Sequence, residues 1–304
     1  MNFYINNYSN NDGPSIFGNR LKQELENQNF LFDELSNNRI SITNGTYVDE
    51  SFNILRLDGL YLDSGNTLGD SNSLNKPIFD SYKIFDHIVF QSEFAQKNYE
   101  AFTGIEKSNS IIYNGVEDIF FENEDRIDKP EGFDKVVIAS SKWRRHKRIE
   151  ECIEAFKSKK LKDVALVILG GYQNVDMPNV FSLPMVSPES LPMFYKMADI
   201  MIHLCWLDCC PNSVVEALAS GLKVVCSSNG GTHEIVKGDG IVLQLEDDYK
   251  YGEMVDLYNP PEVDVNSIVD GILKCLELAD YENELKREDL RIKNVATRYS
   301  NLFK

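Results

Sequence analysis

Asp208-Cys-Cys-Pro-Asn-Ser-Val-Val-Glu216-Ala-Leu-Ala-Ser-Gly221 decides how this chain is read. An acidic residue stands just before a predicted helix, and a second one, Glu216, follows eight positions later inside it. Asn212 is a strong N-cap residue, and the run Ser-Val-Val-Glu-Ala-Leu-Ala after it has helical character. Gly221 occupies the place of a C-terminal cap, and Lys223-Val-Val-Cys226 then reads as a strand. The unpaired amides of such a helix start, together with its dipole, make an anion site. Flanked by two carboxylates, that site suits a ligand carrying both phosphates and many hydroxyls, as a nucleotide sugar does. Ordinary capping also places carboxylates and Asn-Ser at helix starts, so a second signal is needed. It comes one βα unit later, where Ser227-Ser-Asn-Gly230-Gly231-Thr-His-Glu234 forms a Gly-rich turn leading from strand to helix.

Upstream, Val136-Val-Ile-Ala-Ser-Ser-Lys142-Trp-Arg-Arg-His-Lys147-Arg-Ile-Glu reads as a buried strand, a basic loop and the start of an amphipathic helix. Five cations fall within residues 142–148 of a chain whose formal net charge is −17. A solvated loop is one reading. The other is a pyrophosphate site, because a partly buried anion is costly without concentrated positive charge.

Together these segments, within the span 134–245, resemble the C-terminal domain of retaining glycosyltransferases of the GT-B fold, family-4 type (glycosyl transferases group 1). Members carry a Glu, seven residues and a second Glu, then Ala-x-Ala-x-Gly, a Val-rich strand and a Gly-Gly-x-x-Glu turn. Here Asp208, one methylene shorter, replaces the first Glu. Lys223 and His233 stand where Pro is common. The resemblance implies an α/β chain of two Rossmann-like domains facing across a cleft, with a reduced N-terminal domain. The expected boundaries are 1–120 for the acceptor-side domain, 121–133 for the linker and 134–280 for the donor domain. A helix over 281–304 is expected to cross back to the first domain.

The resemblance also assigns roles. Lys142 and Lys147 bind the donor diphosphate, with Arg144 sharing the work. The helix start at Cys210, Asn212 and Ser213 adds amides to the same phosphates. Glu216 accepts the ribose hydroxyls, Asp208 positions the sugar, and Gly230 and Gly231 line the donor side. The expected activity is retaining, metal-independent transfer from a nucleotide diphosphate sugar to a carbohydrate, lipid-linked or protein acceptor, with no further cofactor. Catalysis then falls to Asp208, Lys142 and Lys147. A catalytically silent sugar-nucleotide-binding protein and a sugar-nucleotide epimerase on the same scaffold stay open.

In the first 120 residues the resemblance is looser. Gly13-Pro-Ser-Ile-Phe-Gly18, after the strand-like Phe3-Tyr-Ile, reads as a Gly-rich loop beneath the donor, leading into a helix over Arg20–Gln28. Asp58 lies within an apolar strand-like run (Asn53-Ile-Leu-Arg-Leu-Asp58-Gly-Leu-Tyr-Leu-Asp63) and is an acceptor-side candidate. Ser92 and Asn114 read as turn formers, His87 as structural, His203 as a satisfied core group, and His146 as part of the phosphate loop.

Composition bounds the remaining classes. The 304 residues, 42% hydrophobic, can bury two modest cores. Residues 1–120 hold 8 basic against 17 acidic side chains, so averaging hides no basic half. That balance argues against nucleic-acid binding and for weak or no membrane association. The N-terminus has no signal-like pattern, and a cytoplasmic protein is expected. The six cysteines lack paired spacing and lie mostly in apolar runs, which predicts reduced, buried thiols. No H-E-x-x-H, G-x-S-x-G or Walker-type pattern occurs, so no metal site is expected.

Overall fold

Val164–Leu169, Val-Ala-Leu-Val-Ile-Leu, is buried at every position, which is the pattern of a parallel strand covered on both faces. The protein is built on such strands. The structure, a computed structural model, describes residues 1–6, 13–64, 71–173, 175–245, 247–281 and 287–304. By contact the chain divides into two compact units. One comprises Met1–Glu117, Tyr249–Asp256 and Glu288–Lys304, and the other Asp118–Asp248 and Leu257–Arg287.

The first unit holds a parallel sheet of β1 (Asn2–Asn6), β2 (Leu31–Phe32), β3 (Asn38–Ile42), β4 (Phe52–Leu57), β5 (His87–Phe90) and β6 (Asn109–Ile111). Their order is β2-β1-β3-β4-β5-β6. Helices α1 (Gly13–Asn27), α2 (Ser71–Ile84) and α3 (Glu93–Thr103) connect them. The chain's last helix, Ile292–Ser300, lays Val295 and Tyr299 into the same core as Phe3, Phe17 and Ile40. Of the helix expected over 281–304, the structure shows the stretch Ile292–Ser300, after a single turn at Glu288–Leu290; Tyr281 ends the preceding helix, Val265–Tyr281, and residues 282–286 lie outside those described. With six strands, this unit is not short of sheet. Its economy lies in a β3–β4 crossover without a helix, pinned by the fully buried Asn53, whose Oδ1 accepts from the Val48 amide at 3.1 Å.

One expectation fails here. Gly13 and Gly18 do not form a loop, because α1 begins at Gly13 and Gly18 is buried within it. Phe17, Leu21 and Leu25 recur every four residues and are fully buried, so one apolar stripe carries the helix upstream of the predicted start. Pro14 is tolerated because the first turn needs no amide donor there. At α3 the reading of Ser92 is refined. Its Oγ accepts from the Ala95 amide at 3.2 Å as an N-cap, and Gly104 closes the helix at φ 66°.

The second unit begins with α4 (Ile119–Glu122) and holds β7 (Lys135–Ser140), β8 (Val164–Leu169), β9 (Val180–Leu183), β10 (Ile200–His203), β11 (Lys223–Ser227) and β12 (Gly240–Leu243). All pair in parallel in the order β12-β11-β10-β7-β8-β9. Helices α5 (Ile149–Ala155), α6 (Leu191–Met197), α7 (Asn212–Ala219), α8 (Thr232–Val236) and α9 (Val265–Tyr281) alternate with them. The chain winds outward from β7 to β9, then returns to β10 on the other side of β7. The loops leaving β7 and β10 therefore diverge at a topological switch point, the place where open α/β sheets bind ligands. All six cysteines are free and buried. Among the described residues no helix is long and apolar enough to cross a membrane.

Candidate active site

Three loops leave the carboxyl ends of the neighbouring strands β7, β10 and β11, and main-chain hydrogen bonds tie them together. The Trp206 amide, after β10, donates to the His146 carbonyl, after β7, at 2.9 Å. The Gly231 amide, after β11, donates to the Asp208 carbonyl at 2.7 Å. Gly230 must be glycine: its φ is 104°, and a Cβ there would lie 2.7 Å from that same carbonyl oxygen. Ser227 Oγ completes the lacing by donating to the Cys205 carbonyl at 2.8 Å. Leu207, at φ 63°, turns the β10 loop so that Asp208 follows.

The five cations of the basic loop divide by what they touch. Arg148 is fully buried at φ 55°, and its Nη2 donates to the Pro261 carbonyl at 3.1 Å. Arg145 bonds Glu151 at 2.6 Å. Both support the loop. Lys142 and Arg144 are exposed and make no ion pair with the described residues. Lys147 turns to the β10 loop, and its Nζ meets Asp208 Oδ2 at 2.5 Å, with the two side chains 17% and 20% exposed.

Around that pair the β10 end supplies two further groups. His203 Nε2 lies 3.7 Å from Asp208 Oδ2 and has no hydrogen-bond partner. Cys205, 1% exposed, sits near both, and its thiol is directed at the Trp206 carbonyl at 3.6 Å. Burial by itself disfavours the Lys147 ammonium, but Asp208 outweighs it and raises the lysine's pKa. Burial likewise works against the Asp208 carboxylate, and Lys147 and His203 overcome it, holding the acid far below the usual carboxylate range. The pair is thus a fixed dipole at the switch point. Burial pushes the Cys205 thiol up to about 12, despite the pull of Lys147. It also lowers His203, although Asp208 opposes that. His146 stacks on Tyr258 with centroids 6.1 Å apart, and burial, with Lys147, takes it down to about 4.

The helix α7 departs from expectation at its start. Asn212 is its first residue, not its cap. Pro211 holds the cap position at φ −68°, and its carbonyl accepts from the Val214 and Val215 amides at 3.1 and 3.2 Å. Proline's preset φ suits a helix start, and no side-chain cap bond forms. Ser213 is half-buried beside it, and Cys210 is buried. Glu216 faces inward at 7% exposure, with Tyr195 Oη donating to its Oε2 at 3.4 Å. At the other end Gly221, φ 89°, follows the last turn as read from sequence.

In the first unit Asp58 is held by its neighbours. Arg56 Nη1 donates to both its oxygens at 2.6 Å, Thr43 Oγ1 to Oδ2 at 3.0 Å, and Gln91 Nε2 to Oδ1. Arg56 is itself 1% exposed, lies 4.3 Å over the Phe17 ring, and donates to Asn114 Oδ1 at 2.6 Å. Asn114 therefore belongs to this buried network, where sequence reading made it a turn former. His87 is structural, with its ring nitrogens 2.9 and 3.0 Å from Ser108 and Ser110 hydroxyls.

Of the predicted residues, then, the fold gathers Lys147, Asp208, Gly230 and Gly231 at one point. It sets Lys142 and Arg144 on the exposed side of the basic loop, and Cys210, Asn212, Ser213 and Glu216 along α7. Gly13, Gly18 and Asp58 belong to the first unit. Sequence reading missed Tyr195 and took His203 for a satisfied core group, whereas its Nε2 has no hydrogen-bond partner; Cys205 is reduced and buried as expected. The spacing His203-x-Cys205-x-x-Asp208 at a strand end was visible, but only the loop's turn at Leu207 brings the three side chains together.

A family model described as "Glycosyl transferases group 1" matches residues 120–288. No curated protein sequence matches the chain significantly. Among solved structures, sucrose-phosphate synthase from Thermosynechococcus elongatus is similar at TM-score 0.71 and 12% identity, covering 99% of this chain and 97% of that one. Anabaena HepE in complex with UDP-glucose is similar at TM-score 0.63 and 12% identity, covering 99% and 98%. A glycosyltransferase from Rickettsia africae follows at TM-score 0.60 and 12% identity, covering 97% and 82%. At such identities the likeness is one of fold, that of the two-unit GT-B architecture.

Proposed function

We propose that this chain, which belongs to the glycosyl transferases group 1 family, moves a sugar from a nucleoside diphosphate donor to an acceptor hydroxyl with retention of configuration and without a metal ion. The observation that carries the reading is the part-buried Lys147–Asp208 pair at the switch point. It offers the donor a fixed cation for the diphosphate next to a fixed anion for the sugar.

In this reading Lys147 takes a phosphate oxygen of the departing diphosphate, and the exposed Lys142 and Arg144 add their charge from the solvent side. The amides at the start of α7, from Cys210 to Ser213, add hydrogen bonds and dipole. Stabilisation of the leaving group is then electrostatic and already in place. Glu216, oriented by Tyr195, accepts from the ribose hydroxyls. Asp208 orients the sugar's hydroxyls and offsets the oxocarbenium-like charge that builds as the glycosidic bond to phosphate lengthens. The acceptor oxygen attacks from the face the diphosphate leaves, and its proton passes to the leaving phosphate, so no protein nucleophile is needed. Gly231 acts through Asp208, whose carbonyl its amide holds, and Gly230 by leaving that carbonyl room. In the first unit Asp58, saturated by Arg56, Thr43 and Gln91, serves the acceptor side by stiffening the strand ends.

One observation favours a second reading, a silent donor-binding protein: Asp208 is shorter than the Glu expected there, and its Oδ2 is engaged by Lys147. A thermal-shift panel of UDP-, GDP-, ADP- and dTDP-sugars finds the donor, and incubation with it separates the readings. Release of nucleoside diphosphate, with product of the donor's anomeric configuration, is expected. Stabilisation by a donor that is never consumed would favour the silent binder, and no stabilisation by any donor would end both.

A further inference from the structure

The groups that surround Lys147 are those that hold a thiophilic metal. We propose that His203, Cys205 and Asp208 form a binding site for a divalent ion of the zinc class, and that the ion inhibits the chain by taking Asp208 from Lys147. One ligand atom of each residue, a ring nitrogen, a sulfur and a carboxylate oxygen, lies within 4.8 Å of the other two. His203 Nε2 and Asp208 Oδ2 are 3.7 Å apart. A tetrahedral zinc ion with ordinary bond lengths puts its ligand atoms roughly 3.3–3.6 Å apart, so small side-chain shifts close the site.

The ligands are also held ready. His203 ends β10, is 6% exposed, and its Nε2 has no hydrogen-bond partner. The backbone at Cys205 and Asp208 is fixed by Ser227 Oγ and the Gly231 amide. Three protein ligands of nitrogen, sulfur and oxygen type with a fourth position open describe a zinc-class site. The same set disfavours magnesium and calcium, which take oxygen ligands.

The opposing group is Lys147. Its ammonium already neutralises Asp208 and also faces the Cys205 sulfur, so the ion and the lysine compete for two of the three ligands. The lysine can give way, since its side chain is partly exposed. On entry the metal takes the imidazole nitrogen and the carboxylate as they stand. The Cys205 thiol gives up its proton to solvent as the metal–sulfur bond forms, so one proton is released per ion bound. The inhibitory half of this inference rests on the donor site proposed above, whereas the binding half does not.

Cobalt(II), a coloured stand-in for zinc, tests both. Titrated into the full chain after chelator treatment, it is expected to bind with one equivalent and to show thiolate-to-metal charge-transfer absorption, which zinc then bleaches. Cys205→Ser should abolish that absorption. His203→Gln should weaken binding at least about tenfold, as the loss of a designed metal contact does, and it serves as the second test if Cys205→Ser does not fold. Lys147→Ala should bind cobalt at least about tenfold more tightly, because no ammonium competes. Absence of the thiolate band in the wild type, or its persistence in Cys205→Ser, overturns the site. Saturating zinc is expected to weaken UDP binding at least about tenfold, and unchanged UDP affinity overturns the inhibition. UDP that fails to bind even the metal-free chain refutes the proposed function and leaves the metal site standing.

Discussion

Replacing Lys147 with Met is expected to weaken UDP binding by about 3 kcal/mol, roughly a hundredfold. Methionine keeps the apolar stem and its packing, so the loss is confined to charge and hydrogen bonding. A single charge-assisted hydrogen bond to a phosphate is worth about 1.5–3 kcal/mol. The structure places the expectation at the upper end. Lys147 Nζ neutralises Asp208 at 2.5 Å, and without it that carboxylate faces the incoming diphosphate with its charge unbalanced. Lys147→Met/Asp208→Asn removes this repulsion and should recover about 1.4 kcal/mol, roughly tenfold in affinity. Uridine has no phosphates, so its affinity should change little in either variant. Calorimetry of UDP and uridine against the three proteins, each checked for folding by circular dichroism, supplies the numbers. Equal losses for UDP and uridine would mean that Lys147 only supports the fold. A double variant as weak as the single one would mean that Asp208 does not face the phosphates.

Further expectations follow from neighbouring residues. Glu216→Ala should lose about 1.5–3 kcal/mol of UDP affinity and Glu216→Gln less, since the amide still bonds vicinal hydroxyls; unchanged calorimetry for both would remove Glu216 from the ribose site. Turnover should persist in EDTA, unchanged or raised, and a complete loss restored by added magnesium would refute the metal-independent mechanism. Gly230→Ala should cost about 1–3 kcal/mol of stability, because the new Cβ meets the Asp208 carbonyl in a left-handed backbone. It should also lower kcat by displacing Asp208, and a thermal midpoint and kcat both at wild-type level would contradict this. His146, with a pKa near 4 in the fold against 6.5 ordinarily, is more readily protonated when unfolded. Stability should therefore decline as pH falls from about 6.5 to 4, by up to about 3 kcal/mol from this residue. His146→Gln should flatten that part of the urea-midpoint profile, and an unaltered slope would place the titration elsewhere.

The parts of this chain that were legible before folding are those whose physics is local. Val136-Val-Ile-Ala139 announces a buried strand by composition alone, and Gly221 announces a helix end because a left-handed residue is needed there. The Asp208–Glu216 spacing pointed to the second unit's site for the same reason. Misreadings arose where a longer contact overruled a local cue. Two glycines suggested a loop at residues 13–18, but the Phe17–Leu21–Leu25 stripe buries against the sheet and keeps the segment helical. Asn212 is the better cap by propensity, yet Pro211 takes the position because its ring presets the required backbone angle. Asn114 sits beside a glycine like a turn residue, and only the approach of Arg56, 58 positions away, makes it a buried acceptor.

The site shows the same division most clearly. Residue types and their order along the chain were enough for an α/β fold with a basic loop, a capped helix and a glycine turn, each following a strand, because helix, strand and turn preferences act over a few residues. Local preferences do not distinguish the five cations of the 142–148 run, and the resemblance marked Lys142 and Lys147 alike. That Lys147 faces Asp208, while Arg148 is buried as a prop and Lys142 stays in solvent, follows from β10 returning to lie beside β7. Strand order is a property of the whole packed sheet, and so is the meeting of His203, Cys205, Lys147 and Asp208 at the carboxyl ends of its two central strands. Their shifted protonation comes from burial and from charges up to 61 residues apart in sequence, which exist only once the chain has folded.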